Sequence, residues 1–229
     1  MNIKVQFSHT DNQKDLFPPV PASQVIPDWY KNLPPYIGNQ KKPLFDEDLT
    51  TATGKKCMPM FDALTAGYII FLQGDIYVEI RDGKPFYRWT KANDVRFHPE
   101  RQFDGHPESQ GFDLAKWDNK WIITTPQGYS SLFIQPVHRE SPFKILEGVV
   151  DTDTYNNPVQ FIFTLKDPNF EGLIPAGTPI AQVIPFKRET YEMSVVDLDT
   201  EKHMAVRHFL NNKFFGAYKS KYWSRKEYK

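Results

Sequence analysis

A single cysteine, Cys57, stands in 229 residues. It excludes an internal disulfide framework and suits a reducing compartment. Surplus charge is also missing, because 28 Lys plus Arg balance 28 Asp plus Glu. A general polyanion binder neutralises phosphates with excess cations, so nucleic acid is not an expected partner, although a local basic patch is compatible with neutrality. No apolar run is long enough to span a bilayer, and no signal-type leader is recognisable at the N-terminus. The expected setting is the cytoplasm of a host cell or a virion, with no membrane partner. What the chain does have is aromatic residues, 15% of the total, and 19 prolines. Both favour strands, turns and irregular segments over a helical bundle. The length fits one generous domain, or one domain with arms, able to bury a core unaided.

Periodicity sketches the order of elements. Ile3, Val5 and Phe7 alternate as a short strand. Prolines through Pro18-Pro19 and Pro21 exclude a helix interior there. A helical turn is expected over 23–32, capped at Ser23 and interrupted at Pro27. Trp29, Tyr30, Leu33 and Tyr36 mark residues 1–64 as an N-terminal arm, packed on the body or reaching a neighbouring subunit. Phe45-Asp46-Glu47-Asp48 and Lys55-Lys56 suggest a solvated loop, and residues 58–64 a short helix or bend. A β domain is expected over 65–190. Its Asp82-Gly83 pair signals a hairpin, since glycine accepts positive φ. Residues 92–119 lack a clear period and are expected as an inserted loop, covering a site or touching a partner. Residues 191–229 are expected as a C-terminal extension. In it, 191–196 closes a strand, 199–215 is helical with Thr200 as cap, and an aromatic and basic tail follows. The tail's composition suits base stacking, or docking on the body or a neighbour, and docking is the preferred expectation.

The organising stretch runs from Thr125 to Arg188. It contains Gly128-Tyr129, then Gly148-Val149-Val150-Asp151-Thr152-Asp153-Thr154-Tyr155, then Gly177-Thr178-Pro179-Ile180-Ala181-Gln182-Val183-Ile184. The order and spacing resemble the dUTPase family and its dCTP-deaminase relatives, whose motifs read Gly-x-Ile-Asp-x-Asp-Tyr and Gly-Asp-x-Ile-Ala-Gln. Upstream, Ala66-Gly67-Tyr68-Ile69-Ile70 resembles the family's Ala-Gly-x-Asp-Leu. The whole chain also resembles proteins of tailed phages.

The resemblance implies a mainly β fold, a β-clip barrel or sandwich, with an irregular N-terminal arm and a short C-terminal helix. It implies a homo-oligomer, commonly a trimer. By position it makes Asp151 the catalytic carboxylate that activates water, and Tyr155 a sugar platform if one residue is inserted near Thr154. Asp153, His138, Arg139 and Gln182 become candidate ligand-binding residues, and Mg²⁺ a cofactor only if nucleotide hydrolysis is retained. Departures are specific. Ile69 replaces the first-motif aspartate. Gln135-Pro136-Val137-His138-Arg139 stands where a phosphate-binding Pro-Arg-Ser-Gly belongs. Thr178 replaces an acid, and the glycine-rich phosphate-covering motif is missing.

Three functional readings follow: a binding protein on the dUTPase scaffold without ordinary hydrolysis; a virion component built on a β-clip, with 1–40 and 214–229 as clamps; and an active pyrophosphatase with a rebuilt phosphate site. On the residues themselves, Asp151 and Asp153 also read as acids bonding local amides at a strand-to-turn junction. The histidines His98, His106, His203 and His208 match no metal-ligand spacing.

Overall fold

The computed structural model describes all residues except 1–2, 11–15, 45–48, 91–94 and 214. The acidic stretch Phe45–Asp48, the first residues of the expected inserted loop and Phe214 therefore lie outside the described residues.

The fold is mainly β. In chain order the strands are β1 (Gln6–His9), β2 (Val20–Pro21), β3 (Pro43–Leu44), β4 (Leu49–Thr50), β5 (Tyr68–Phe71) and β6 (Ile76–Arg81). Next come β7 (Lys84–Trp89), β8 (Val95–His98), β9 (Leu114–Trp117), β10 (Trp121–Thr124) and β11 (Tyr129–Ile134). Last are β12 (Phe143–Ile145), β13 (Gly148–Val150), β14 (Phe161–Leu165), β15 (Gly172–Ile174) and β16 (Pro179–Lys187). The helices are α1 (Asp28–Asn32), α2 (Met58–Thr65), α3 (Thr200–Asn212) and α4 (Ala217–Lys221).

The chain forms two compact units: Met1–Val25 with Gly67–Arg188, and Ile26–Ala66 with Glu189–Lys229. The grouping differs from a division into arm, body and extension. The first 25 residues belong with the β body, while the rest of the expected arm joins the C-terminal segment.

The first unit holds a five-stranded antiparallel sheet in the order β13-β11-β16-β5-β2. A second sheet runs β12-β14-β9-β8, a third β15-β6-β7, and β1 pairs with β10. Among the described residues none of these sheets closes into a barrel. The strands form where apolar residues recur at every second position, which puts them on one face. Along β14, Phe161, Phe163 and Leu165 are buried; along β6, Ile76 and Val78 are. Trp117 stacks flat on Phe163 at 3.7 Å between ring centroids, with Phe143 edge-on at 5.1 Å. The expected hairpin forms, with Arg81 opposite Lys84 and positive φ at Asp82 and Gly83.

Residues 92–119 are more than a loop. Strands β8 and β9 lie within them, and Val95, Leu114, Ala115 and Trp117 enter the core. Glu108 accepts hydrogen bonds from Lys144 (2.6 Å) and Thr164 (3.3 Å), which ties the intervening turns to the same sheet. Neither β8 nor β9 alternates cleanly, β9 burying the adjacent Leu114 and Ala115 and β8 burying only Val95, so no period marks them in the sequence.

In the second unit α2 starts with a proline in its first turn, where no amide donor is needed. A 3-10 turn spans Ala22–Gln24 and helix α1 starts after Pro27, so the expected interruption at Pro27 is present, but Pro21 and not Ser23 precedes the first turn. Lys55 and Lys56 lie in a short 3-10 turn. Asp199, not Thr200, caps α3, its carboxylate accepting from the Lys202 amide at 2.9 Å. The aromatic tail docks within this unit, and Trp223 Nε1 donates to both oxygens of Asp62 at 3.1 and 3.0 Å. Residues 191–196 form no strand. Among the described residues no helix is long and apolar enough to cross a membrane.

One backbone contact admits only glycine. Gly67 has φ +67°, and a Cβ there would stand 1.8 Å from the Val183 carbonyl oxygen of β16. Backbone strain and overpacking each cost about 1–3 kcal/mol. Gly67→Ala is expected to destabilise the protein by about 2–5 kcal/mol in chemical denaturation; a change within about 0.5 kcal/mol would contradict this packing.

Candidate functional site

The paired acids follow β13 in a tight turn. The Asp151 carbonyl accepts from the amides of Thr154 (3.1 Å) and Tyr155 (2.9 Å), which curls the chain and aims the two carboxylates toward β11. Beneath the turn lies a chain of hydroxyls. Thr152 Oγ1 is 2.8 Å from Thr125 Oγ1 and 2.9 Å from Ser131 Oγ, all three residues being buried. This satisfied network fixes the height of the turn above the sheet.

Asp151 and Asp153 are then distinguished by what they meet. Asp153 is closed off, its side chain 2% exposed. It accepts from the Gly128 amide at 2.8 Å and from both terminal nitrogens of Arg188, one of them at 2.9 Å. Arg188 follows β16 directly, and its amide donates to the Gly128 carbonyl at 2.8 Å. Its guanidinium also donates to the Tyr129 carbonyl (2.9 Å) and Ser130 Oγ (3.1 Å). The fork-to-carboxylate geometry is the strong form of this ion pair. Hydrogen bonds from Arg188, helped by the Gly128 amide, hold the Asp153 carboxyl at about 2.

Asp151 is the exposed acid, its side chain 62% exposed. One oxygen accepts from Ser130 Oγ at 2.6 Å and lies 3.1 Å from Arg188. Two carboxylates share one guanidinium, so these fixed charges sum to minus one. Tyr155 is 44% exposed, and its hydroxyl accepts from Asn157 at 3.0 Å.

The remaining candidates do not join this cluster through any described bond. Gln182 is buried, its oxygen accepting from the Val137 amide at 3.1 Å. Arg139 donates to the Val25 carbonyl, and burial lowers its pKa from the usual arginine value. His138 is exposed at positive φ in the turn between β11 and β12. Each of these residues thus helps hold the loop after β11 or sits at its tip. Among the described residues no group of three His, Cys, Asp or Glu is placed to hold a metal ion.

Sequence reasoning missed Arg188, Ser130 and Gly128 as partners of the acids. The available signal was the Lys187-Arg188 pair of cations where the apolar run of β16 ends. Strand register brings Arg188 opposite Gly128, and register is not readable before the pairing is known.

The resulting class is an antiparallel β protein with an acid-rich turn neutralised in part by one arginine. No protein-family model matches the chain. No curated protein matches it either. Among solved structures it is similar to a dUTPase of Staphylococcus bacteriophage 80alpha, a mutant solved with dUpNHpp, at a TM-score of 0.36 and 13% identity, covering 86% of this chain and 90% of that one. A likeness this slight transfers no residue roles.

The acids make a pH prediction. A carboxyl whose pKa is depressed in the fold adds stability that is present above its unfolded value and lost as pH falls through its folded value. For Asp153 that window runs from the ordinary 3.8 down to about 2. Asp153→Asn is expected to be less stable than wild type near neutrality, and the gap is expected to narrow as pH falls through this window. Parallel stability curves for the two proteins would show that the ion pair does not stabilise the fold.

Proposed function

We propose that this chain is a divergent dUTPase-type β protein that acts by binding rather than by dUTP hydrolysis. The observation that carries this reading is the commitment of Arg188. The guanidinium beside the acids is engaged by Asp153, Asp151, Ser130 and the Tyr129 carbonyl, so it offers a triphosphate little. Arg139, the other cation the motif comparison offered, is half-buried and donates to a backbone carbonyl. What remains at the surface is the Asp151 carboxylate, which repels an anionic ligand.

Mg²⁺ fits these residues poorly. Such an ion is held by one or two carboxylates together with substrate phosphates. Both oxygens of Asp153 are occupied, leaving one oxygen of Asp151 beside a guanidinium. The motif residues therefore read as a structural clamp that the β-clip type of scaffold has kept. Assayed with Mg²⁺ and a panel of deoxynucleotides that includes dUTP, wild type and Asp151→Asn are both expected to show no turnover above background. Hydrolysis of dUTP by wild type that vanishes in Asp151→Asn would overturn the reading.

A second reading, an assembly component, is favoured by residues 191–198. Met193, Val195, Val196 and Leu198 are 87%, 90%, 80% and 67% exposed, and Tyr191 is 82% exposed. Tyr191, Met193 and Val195 repeat at every second position, as in a strand with one apolar face. Covering that face buries Tyr191, Met193 and Val195, which at the usual value per side chain contributes about 4–9 kcal/mol. That is comparable with the about 4–15 kcal/mol that association costs. A second copy or a virion protein that pairs with this segment would satisfy both its side chains and its backbone. Light scattering is expected to give a mass of more than one chain for wild type and a single chain for Val195→Asp combined with Met193→Asp. A monomeric wild type would leave the segment without a role in self-assembly.

A further inference from the structure

The second unit contains a cavity of about 990 Å³ whose lining contrasts with the neutral chain around it. Six lysine or arginine residues and six aromatic residues face it, with no aspartate or glutamate among the described lining residues. The floor and walls come from both halves of the unit, residues 26–61 and 215–225. The chain as a whole has as many acids as bases, so this is a local segregation of charge.

The cations differ in what they already do. Lys55 Nζ donates to the carbonyls of Tyr30 (2.6 Å) and Lys31 (2.9 Å), and Lys31 pairs with Asp28 at 3.0 Å. Arg225 pairs with Glu227 at 2.9 Å. Lys55 also lies over the Tyr30 ring at 4.8 Å, but Lys41, Lys56 and Lys219 show no bond to a backbone carbonyl or to an acid among the described residues. Each has its ammonium near a ring of the cavity: Lys41 at 4.9 Å from Phe215, Lys56 at 5.3 Å from Tyr36, and Lys219 at 5.6 Å from Trp223. None of the three is within ion-pair distance of an acid among the described residues.

The rings are held in place. Tyr36 and Phe215 meet edge to face at 5.7 Å, and the Trp223 indole is fixed by its hydrogen bonds to Asp62. Asp62 in turn pairs with Lys226 at 2.7 Å, so its charge is spent outside the cavity lining. Three ammonium groups with no acid beside them among the described residues, next to ordered aromatic faces, in a space of ligand size, suit a ligand with two parts. The anionic part takes the lysines, and a flat ring takes the aromatic wall. An inorganic anion would use the cations and leave the rings idle, whereas an apolar ligand would leave the cations idle.

We propose that this cavity binds a nucleoside phosphate, with Lys41, Lys56 and Lys219 receiving the phosphate and the rings of Tyr36, Phe215 and Trp223 receiving the base. The same chemistry is presented by a free nucleotide and by a nucleotide within a single strand. The site lies in a different unit from Asp151 and does not depend on the reading of that residue.

Calorimetric titration of the full chain tests it, with dUTP, ATP, a short oligothymidylate and inorganic tripolyphosphate as probes. Saturable binding of a nucleotide or of the oligonucleotide is expected, at least tenfold tighter than tripolyphosphate and weakening as salt rises. The triple variant Lys41→Gln, Lys56→Gln, Lys219→Gln is expected to lose at least thirtyfold in affinity at an unchanged melting temperature, because all three side chains are on the surface. Asp151→Asn is expected to bind as wild type does. Binding of dUTP lost in Asp151→Asn and kept in the triple variant would place the ligand at the β unit and overturn the proposal. So would equal affinity for tripolyphosphate and nucleotide, or no binding of any nucleotide probe. Turnover of dUTP in the parallel assay, with the triple variant's loss of binding intact, would overturn the non-hydrolytic reading and leave this site standing.

Discussion

Strand β16 is the constraint on which the β unit depends. It pairs with β11 along one edge and β5 along the other, so a shift in its register would displace both neighbours. Its position is fixed at three levels. The Val183 carbonyl leaves no room for a side chain at Gly67, which sets how closely the start of β5 approaches. Gln182 on the same strand bonds the Val137 amide and holds the loop after β11. Just past its end, Arg188 grips Asp153 and the backbone around Gly128. Packing, a buried amide and an ion pair therefore all enforce one register.

This arrangement shows how paired acids in a turn can serve a structural end. An exposed ion pair adds little stability, but a bidentate arginine bound to a nearly buried carboxylate is a different case. Asp153 is such a carboxylate. Breaking the pair would cost the carboxylate both guanidinium hydrogen bonds. A residue committed in this way cannot also be released to a substrate without that cost. Asp151 also faces β11 but stays exposed, held by Ser130 and beside Arg188.

Much of the β unit was legible in the sequence because its strands alternate cleanly or run apolar between turn residues. Phe161-Ile162-Phe163 and the Asp82-Gly83 turn are examples, and both stand where periodicity and turn chemistry place them. The short C-terminal helix was legible for similar reasons, though Asp199 and Thr200 are both plausible caps and only geometry separates them. Strand β9 was not legible, because Lys116 interrupts a run only four residues long. The partners of the acids were hidden more deeply. Gly128 and Arg188 are 25 and 35 residues from Asp153, and nothing local signals that a guanidinium will arrive there. The aromatic and basic tail was expected to dock on the body or a neighbour; it meets residues 26–61, the segment expected as an arm, and forms a cavity wall with them that no local signal announces.

Residues 191–198 show what a periodic pattern specifies and what it leaves open. Alternation says that a segment has one apolar face when extended. It does not say that a partner strand exists in the same chain. Here the pattern is present and the pairing is not, so five large apolar side chains face solvent. Monomeric proteins rarely expose a contiguous apolar surface of that kind. Among the described residues no strand pairs with the backbone of this segment, which leaves it open to strand addition. An apolar strand face and a backbone that no strand pairs, in the same short segment, would both be satisfied by a single added strand.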